Sequence, residues 1–135
     1  MDIFSRLMRE RLLWVAGGVD DNMSTVVQAQ LMYLDSVDSS DITMHIDSPG
    51  GSVKSGLSMV DVMQFIKSDI RTVNTGMAAS MGSVLLGAGT KGKRSSLRFS
   101  RTMLHQSSGG FRGNIQEAEI DMKEWTKINK TLFDL

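Results

Sequence analysis

Two periods run through the pattern of apolar and polar positions, and they alternate along the chain. The apolar run RLLWV at residues 11–15 predicts a first strand, stopped by Ala16, Gly17 and Gly18. Residues 19–21 offer an acidic helix start, and from Met23 onward Val26, Val27, Leu31 and Leu34 recur at helical spacing. Residues 36–41 are polar and turn-rich. Over 42–46 the period changes to two, with Ile42, Met44 and Ile46 on one face and Thr43 and His45 on the other, which predicts a strand. Ser48, Pro49, Gly50 and Gly51 break it. Leu57, Val60, Met63 and Ile66 mark a second helix. Residues 70–74 read as a strand, 80–88 as a helix and 101–104 as a strand. After a glycine-rich loop at 109–113, Ile115, Ala118, Met122, Trp125, Ile128 and Leu132 draw an apolar stripe along a long last helix. Its acids, Glu117, Glu119 and Asp121, come early and its lysines, Lys123, Lys127 and Lys130, come late, as the helix dipole favours.

Strand and helix thus alternate throughout, which implies one α/β domain with mainly parallel pairing and right-handed crossovers. In open sheets of this class, sites form at the carboxyl ends of the strands, where helices begin. Three marked stretches fall there: SPGGS after the 42–47 strand, GMAASMG after the 70–74 strand and HQSSGG after the 101–104 strand. A parallel sheet would bring all three to one end.

Composition narrows the chemistry. Fifteen basic and fifteen acidic residues balance, so no basic excess points to nucleic acid. With no cysteine, disulfides and thiolate metal sites are excluded, and two histidines without a carboxylate cluster argue against a metal centre. No cofactor is implied. No apolar run approaches the length of a bilayer span, and the start, MDIFSRLMRERLLWV, carries charges among its apolar residues, unlike a secretion signal. The composition suits a soluble cytoplasmic protein. The eleven methionines read mostly as fillers of irregular gaps.

Ser80 is the first candidate for chemistry. AASMG differs from the nucleophile-elbow pattern G-x-S-x-G only by Ala78 at its first position. Small residues permit a tight strand-to-helix turn that exposes the hydroxyl, and the next amide, of Met81, can point at an oxyanion. The same serine also reads, and from this stretch alone reads more readily, as a helix N-cap, worth roughly 1 kcal/mol. His105 ends a strand before a glycine-rich turn, and neutral imidazole is the usual acceptor for a serine proton. It also reads as a histidine satisfied by backbone. His45, on the polar face of an alternating strand, is read as structural. Gly50 and Gly51 would let a backbone amide approach a ligand, with Gly51 as a second oxyanion donor; they read as well as a plain turn.

Taken together, SRLMRER, QAQLMYLD, IDSPGGSV, DVMQFIKSD, GMAASMGSVLLGAGTKGKR and MLHQSSGG leading into a long helix resemble the ClpP family of ATP-dependent serine peptidases. They stand in the family's order over nearly the whole chain. The resemblance implies a crotonase-like α/β fold of stacked βαβ units with a protruding C-terminal handle helix, so that 1–135 is a single domain with a head over about 1–106 and a handle over about 107–135. It implies Ser80 as nucleophile, His105 as general base, the amides of Gly51 and Met81 as the oxyanion hole, and backbone at Gly51, Val53 and Ser108 as the strand that holds an extended substrate. It further implies two stacked seven-membered rings, or a ring mixed with related subunits, fed with unfolded polypeptide by a ring-shaped ATP-driven unfoldase. The peptidase subunit itself would bind no nucleotide.

Some positions depart from that pattern. The family's orienting aspartate lies beyond the handle, so no third triad residue is assigned, and the chain is expected to be shortened at its C-terminus. The axial-pore segment at the start is expected to be absent or very short. Ser107 and Ser108 replace the family's usual proline and bulky apolar residue, and Asp47 its usual asparagine. Two other classes stay open: a catalytically silent structural ring subunit, and an acyl-CoA enzyme of the wider crotonase fold.

Overall fold

The structure, a computed structural model, describes residues 2–104. Its first element is a short helix that the apolar pattern does not reveal. Helix α1 (Ile3–Arg9) buries none of its residues and starts at Asp2, whose carboxylate accepts the Ser5 N–H at 2.8 Å. Arg11 then turns the chain in a left-handed conformation, φ 62°, into strand β1 (Leu12–Ala16). The predicted first strand therefore starts one residue late, because Arg11 belongs to the turn.

The next elements follow the pattern closely. Helix α2 (Asp21–Val37) is capped by Asp20, which accepts the Met23 N–H, and buries Val27, Leu31 and Leu34. Strand β2 (Ile42–Ser48) alternates as expected, with Ile42, Met44, Ile46 and Ser48 buried. Helix α3 (Val53–Phe65) is capped by Ser52 and buries Met59, Val60 and Met63.

Strand β3 (Ile70–Ala79) runs five residues beyond the predicted end at Asn74. The reason is a bulge. Ile46 pairs with Asn74, yet Ser48 pairs with Ala78, so residues 75–77 are partly extra and lose the alternation that would announce a strand. Helix α4 (Met81–Gly87) starts immediately after Ser80 and is almost wholly buried. Strand β4 (Arg94–Ser96) is three exposed residues without apolar signal, and β5 (Arg101–Met103) ends the described part.

All pairings are parallel, in the order β1-β2-β3-β4, with β5 also on β3. β4 pairs with residues 72–74 and β5 with 77–79, so the two short strands follow each other along the same stretch of β3. One face of the sheet, built from Leu13, Val15, Ile42, Met44, Ile46, Ile70, Thr72 and Asn74, is buried, with α2 packed on β1, α4 on β2 and β3, and α3 against both helices. Among the described residues no helix is long and apolar enough to cross a membrane. His105, Ser108, the 109–113 loop and the handle helix lie outside the described residues.

Candidate active site

The carboxyl end of the sheet collects the Ser48–Gly51 and Ser80 stretches, as the parallel order requires. Ser80 stands between β3 and α4 with φ 51° and ψ −120°. Side chains other than glycine rarely adopt such a conformation, and holding one there costs about 1–3 kcal/mol. The hydroxyl gains nothing from the helix in return: it makes no capping hydrogen bond. The N-cap alternative thus fails at its defining contact. The serine is half-buried, and its backbone carbonyl, rather than its side chain, accepts the N–H groups of Ser83 and Val84 at 2.9 and 3.2 Å.

Small residues make this turn possible because backbone fills the space around it. A Cβ on Gly50 would fall 2.8 Å from the Ala79 carbonyl, 2.9 Å from the Ser80 Cβ and 3.0 Å from the Met81 nitrogen. The SPGG loop therefore packs directly on the serine turn. One on Gly82 would lie 2.6 Å from the Ser48 carbonyl, and one on Gly56 would lie within 3 Å of the Met81 side chain. Met81 is fully buried.

Gly51 is held from the other side. It bridges Val19 in parallel, with Val19 N–H donating to the Gly50 carbonyl at 2.9 Å and Ser52 N–H to the Val19 carbonyl at 2.8 Å. A Cβ on Gly51 would fall 2.3 Å from the Val19 oxygen. Among the described residues neither the Gly51 amide nor the Met81 amide donates to a partner. Met81 holds the first position of α4, where an N–H has no intrahelical acceptor. Val53, the remaining described residue of the expected substrate strand, opens α3 and is half-buried.

The route to His105 is visible up to its doorstep. β5 pairs Met103 with Ala79, and Ser80 N–H donates to the Met103 carbonyl at 2.9 Å. The chain thus runs alongside the serine two residues before His105.

With this geometry in hand, the comparison with known proteins is decisive: a sequence model of the Clp protease family matches residues 1–135. The chain belongs to the Clp protease family. It is 52% identical over its whole length to a protein of Bacteroides fragilis named ATP-dependent Clp protease proteolytic subunit, and covers 66% of that relative. A protein of the same name from Bacteroides thetaiotaomicron is 52% identical and 62% covered, and one from Porphyromonas gingivalis 49% identical and 61% covered. The chain spans a little under two thirds of the length of these curated relatives.

Within this Clp-type end of the sheet stand two residues to which the sequence pattern gave no role. Asn74, fully buried, donates to the Arg101 carbonyl at 2.8 Å and to Thr102 Oγ1 at 3.0 Å, and accepts the Gly76 N–H at 3.1 Å. It ties the β3 bulge to the strand that leads to His105. Asp47 accepts the Met77 N–H at 3.1 Å, with Gly76 leaving room for its carboxylate. A buried asparagine in a β-strand is a legible signal, since its amide needs partners there.

His45 is placed as its sequence position suggests. Its ring lies 4.7 Å from that of Trp14, tilted by 44°, and burial lowers its pKa below the ordinary histidine value. It pairs in register with Trp14 and Val73, away from the Ser80 end.

Proposed function

We propose that the chain is the catalytic portion of a Clp-type serine endopeptidase. The observation that carries this reading is the Ser80 turn, strained at φ 51° yet with its hydroxyl committed to no helix cap, packed against the glycine loop. In this mechanism Ser80 Oγ attacks the scissile carbonyl while its proton passes to His105. The carbonyl oxygen becomes an oxyanion, received by the N–H groups of Gly51 and Met81. His105 then hands the proton to the departing amine, leaving an acyl-enzyme that water hydrolyses by the same steps in reverse. Backbone at Gly51, Val53 and Ser108 holds the substrate extended, as an added strand.

The partners follow from the same family reading. The subunit assembles into two stacked seven-membered rings, or a ring mixed with related subunits, and a ring-shaped ATP-driven unfoldase supplies unfolded chains. The names of the relatives, each an ATP-dependent Clp protease proteolytic subunit, support the dependence on an ATP-driven partner. The handle over 107–135 would join the rings. Labelling of the intact gene product with a fluorophosphonate, mapped by mass spectrometry, tests the reading. Modification at Ser80 together with hydrolysis of a short fluorogenic peptide is expected. An unlabelled Ser80 in an assembled ring would instead make the chain a silent structural subunit.

A further inference from the structure

The oxyanion reading asks for more than a free amide, because the amide must point at the right place. In a trans peptide the C=O and the following N–H point in opposite directions. The Gly50 carbonyl is drawn toward Val19, whose N–H it accepts at 2.9 Å. The Gly51 N–H therefore points away from Val19. Strand order puts residues 17–19 beyond β1 on one side of the SPGG loop, and Ala79 and Ser80, at the end of β3, on the other. The Gly51 N–H thus faces the serine side.

What fixes Val19 and Gly50 relative to each other is Ser48. This residue is fully buried, and its hydroxyl donates to the Gly17 carbonyl at 2.6 Å while accepting the Gly50 N–H at 3.1 Å. The Gly17 N–H in turn donates to the Asp47 carbonyl at 3.0 Å. One hydroxyl thereby closes a ring of backbone bonds that runs from residue 17 through 19 to 50 and back to 48.

Resting on the serine-peptidase reading above, we propose that Ser48 is a positioning residue which, through the 17–19 loop, aims the Gly51 amide at the developing oxyanion. It touches neither substrate nor nucleophile. Its loss is expected to misdirect a donor rather than to remove one, so the effect should fall below the 10²–10³ range found on deleting an oxyanion donor outright, at about 30-fold.

The test uses the intact gene product carrying Ser48→Ala and, separately, Ser48→Cys, whose thiol makes a longer and weaker hydrogen bond. Three quantities decide it: sites titrated by fluorophosphonate, kcat per titrated site with KM on a fluorogenic peptide, and affinity for a peptide aldehyde, which forms a tetrahedral adduct with the serine. In Ser48→Ala, kcat per titrated site is expected to fall about 30-fold with KM within about twofold, and aldehyde affinity to weaken in step with kcat/KM. Ser48→Cys is expected to lose about threefold to tenfold, and it carries the test alone if the alanine variant fails to fold. A purely structural role would lower the number of titratable sites and leave kcat per site unchanged; that result in either variant overturns the proposal. A parent protein that is not labelled at Ser80 overturns the peptidase reading and this inference with it. A labelled parent with unaltered variants overturns this inference alone.

Discussion

The two ends of the parallel sheet are closed in opposite ways. At the amino ends of the strands, charged side chains do the closing. The Arg11 guanidinium donates to the carbonyls of Leu34, Asp38, Ser40 and Asp41 and to Ser68 Oγ, and lies 3.5 Å from the Asp38 carboxylate. Lys93 joins Asp41 to Asp69 at 2.9 Å each, and Arg71 reaches Asp41 at 2.9 Å. Asp35 accepts the N–H groups of Lys67 and Ser68. At the carboxyl ends, closure is by backbone and glycine, with Gly50, Gly51 and Gly82 each in contact with main-chain atoms. The charged end leaves its groups satisfied. Among the described residues, the glycine end leaves one hydroxyl and two amides without a partner, and it stores strain at Ser80. On the proposed function, stability and reactivity lie at opposite edges of one sheet, and substitutions at the two edges should separate them.

The largest effect belongs to Ser80, the proposed nucleophile. Ser80→Ala is expected to lower peptide hydrolysis about 10⁶-fold, measured as kcat, and to abolish fluorophosphonate labelling. Ser80→Gly is expected to do the same while raising the melting midpoint, since glycine adopts φ 51° without the penalty of about 1–3 kcal/mol. Unchanged or lowered stability in Ser80→Gly would contradict stored strain at this edge.

Next comes Gly50→Ala, which forces a methyl against the Ala79 carbonyl and the Ser80 turn at φ 97°. It is expected to cost about 3 kcal/mol by denaturant titration and to cut labelling of Ser80 strongly. Gly17→Ala, also at positive φ but in open space, is expected to cost only about 1 kcal/mol. Equal costs would mean that conformation, not the close approach, explains Gly50.

Arg11→Met addresses the other edge. The side chain is 14% exposed, and its removal takes a charged donor from the carbonyls of Leu34, Asp38, Ser40 and Asp41. A loss of about 2–4 kcal/mol is expected, with kcat per titrated site unchanged. A matching fall in kcat per site would show the two edges to be coupled.

The smallest effect is that of pH on the charged end. Hydrogen bonding from Lys93 holds the Asp41 carboxyl below its usual 3.8, and hydrogen bonding to Asp41 and Asp69 holds Lys93 above its usual 10.5. The Asp41 contribution is therefore full above 3.8 and lost as pH falls through its depressed value. That of Lys93 is full below 10.5 and lost as pH rises through its raised value. Melting midpoints of Lys93→Met and parent should differ by about 2 °C or less near neutrality, and the difference should shrink at both extremes.

The elements with a clean period were legible in the sequence. Ile42, Met44 and Ile46 announce β2, and the α2 stripe through Val27, Leu31 and Leu34 announces its helix. Legibility failed where the physical cause was not periodic. α1 is held by an Asp2 cap and buries nothing, β4 is three exposed residues, and the second half of β3 is a bulge fastened by Asn74 and Asp47. The site divides along the same line. Small residues around Ser80 and Gly50 point to a tight turn, and family resemblance assigns their chemistry. The hold of Val19 on Gly50, through its N–H, and of Ser48 on Gly17, through its hydroxyl, depends on hydrogen bonds between segments far apart in the chain, which no local pattern encodes.

The packing of Met81 on Gly56 bears on how such a protein ages. Methionine sulfur is a common target of peroxide, and its sulfoxide is larger and polar. Met32 and Met77 are 47% and 36% exposed, whereas Met44, Met59 and Met81 are at 0%. Oxidant reaching the folded chain meets the surface thioethers first, and the methionine beside Ser80 stays reduced for as long as the fold stays shut.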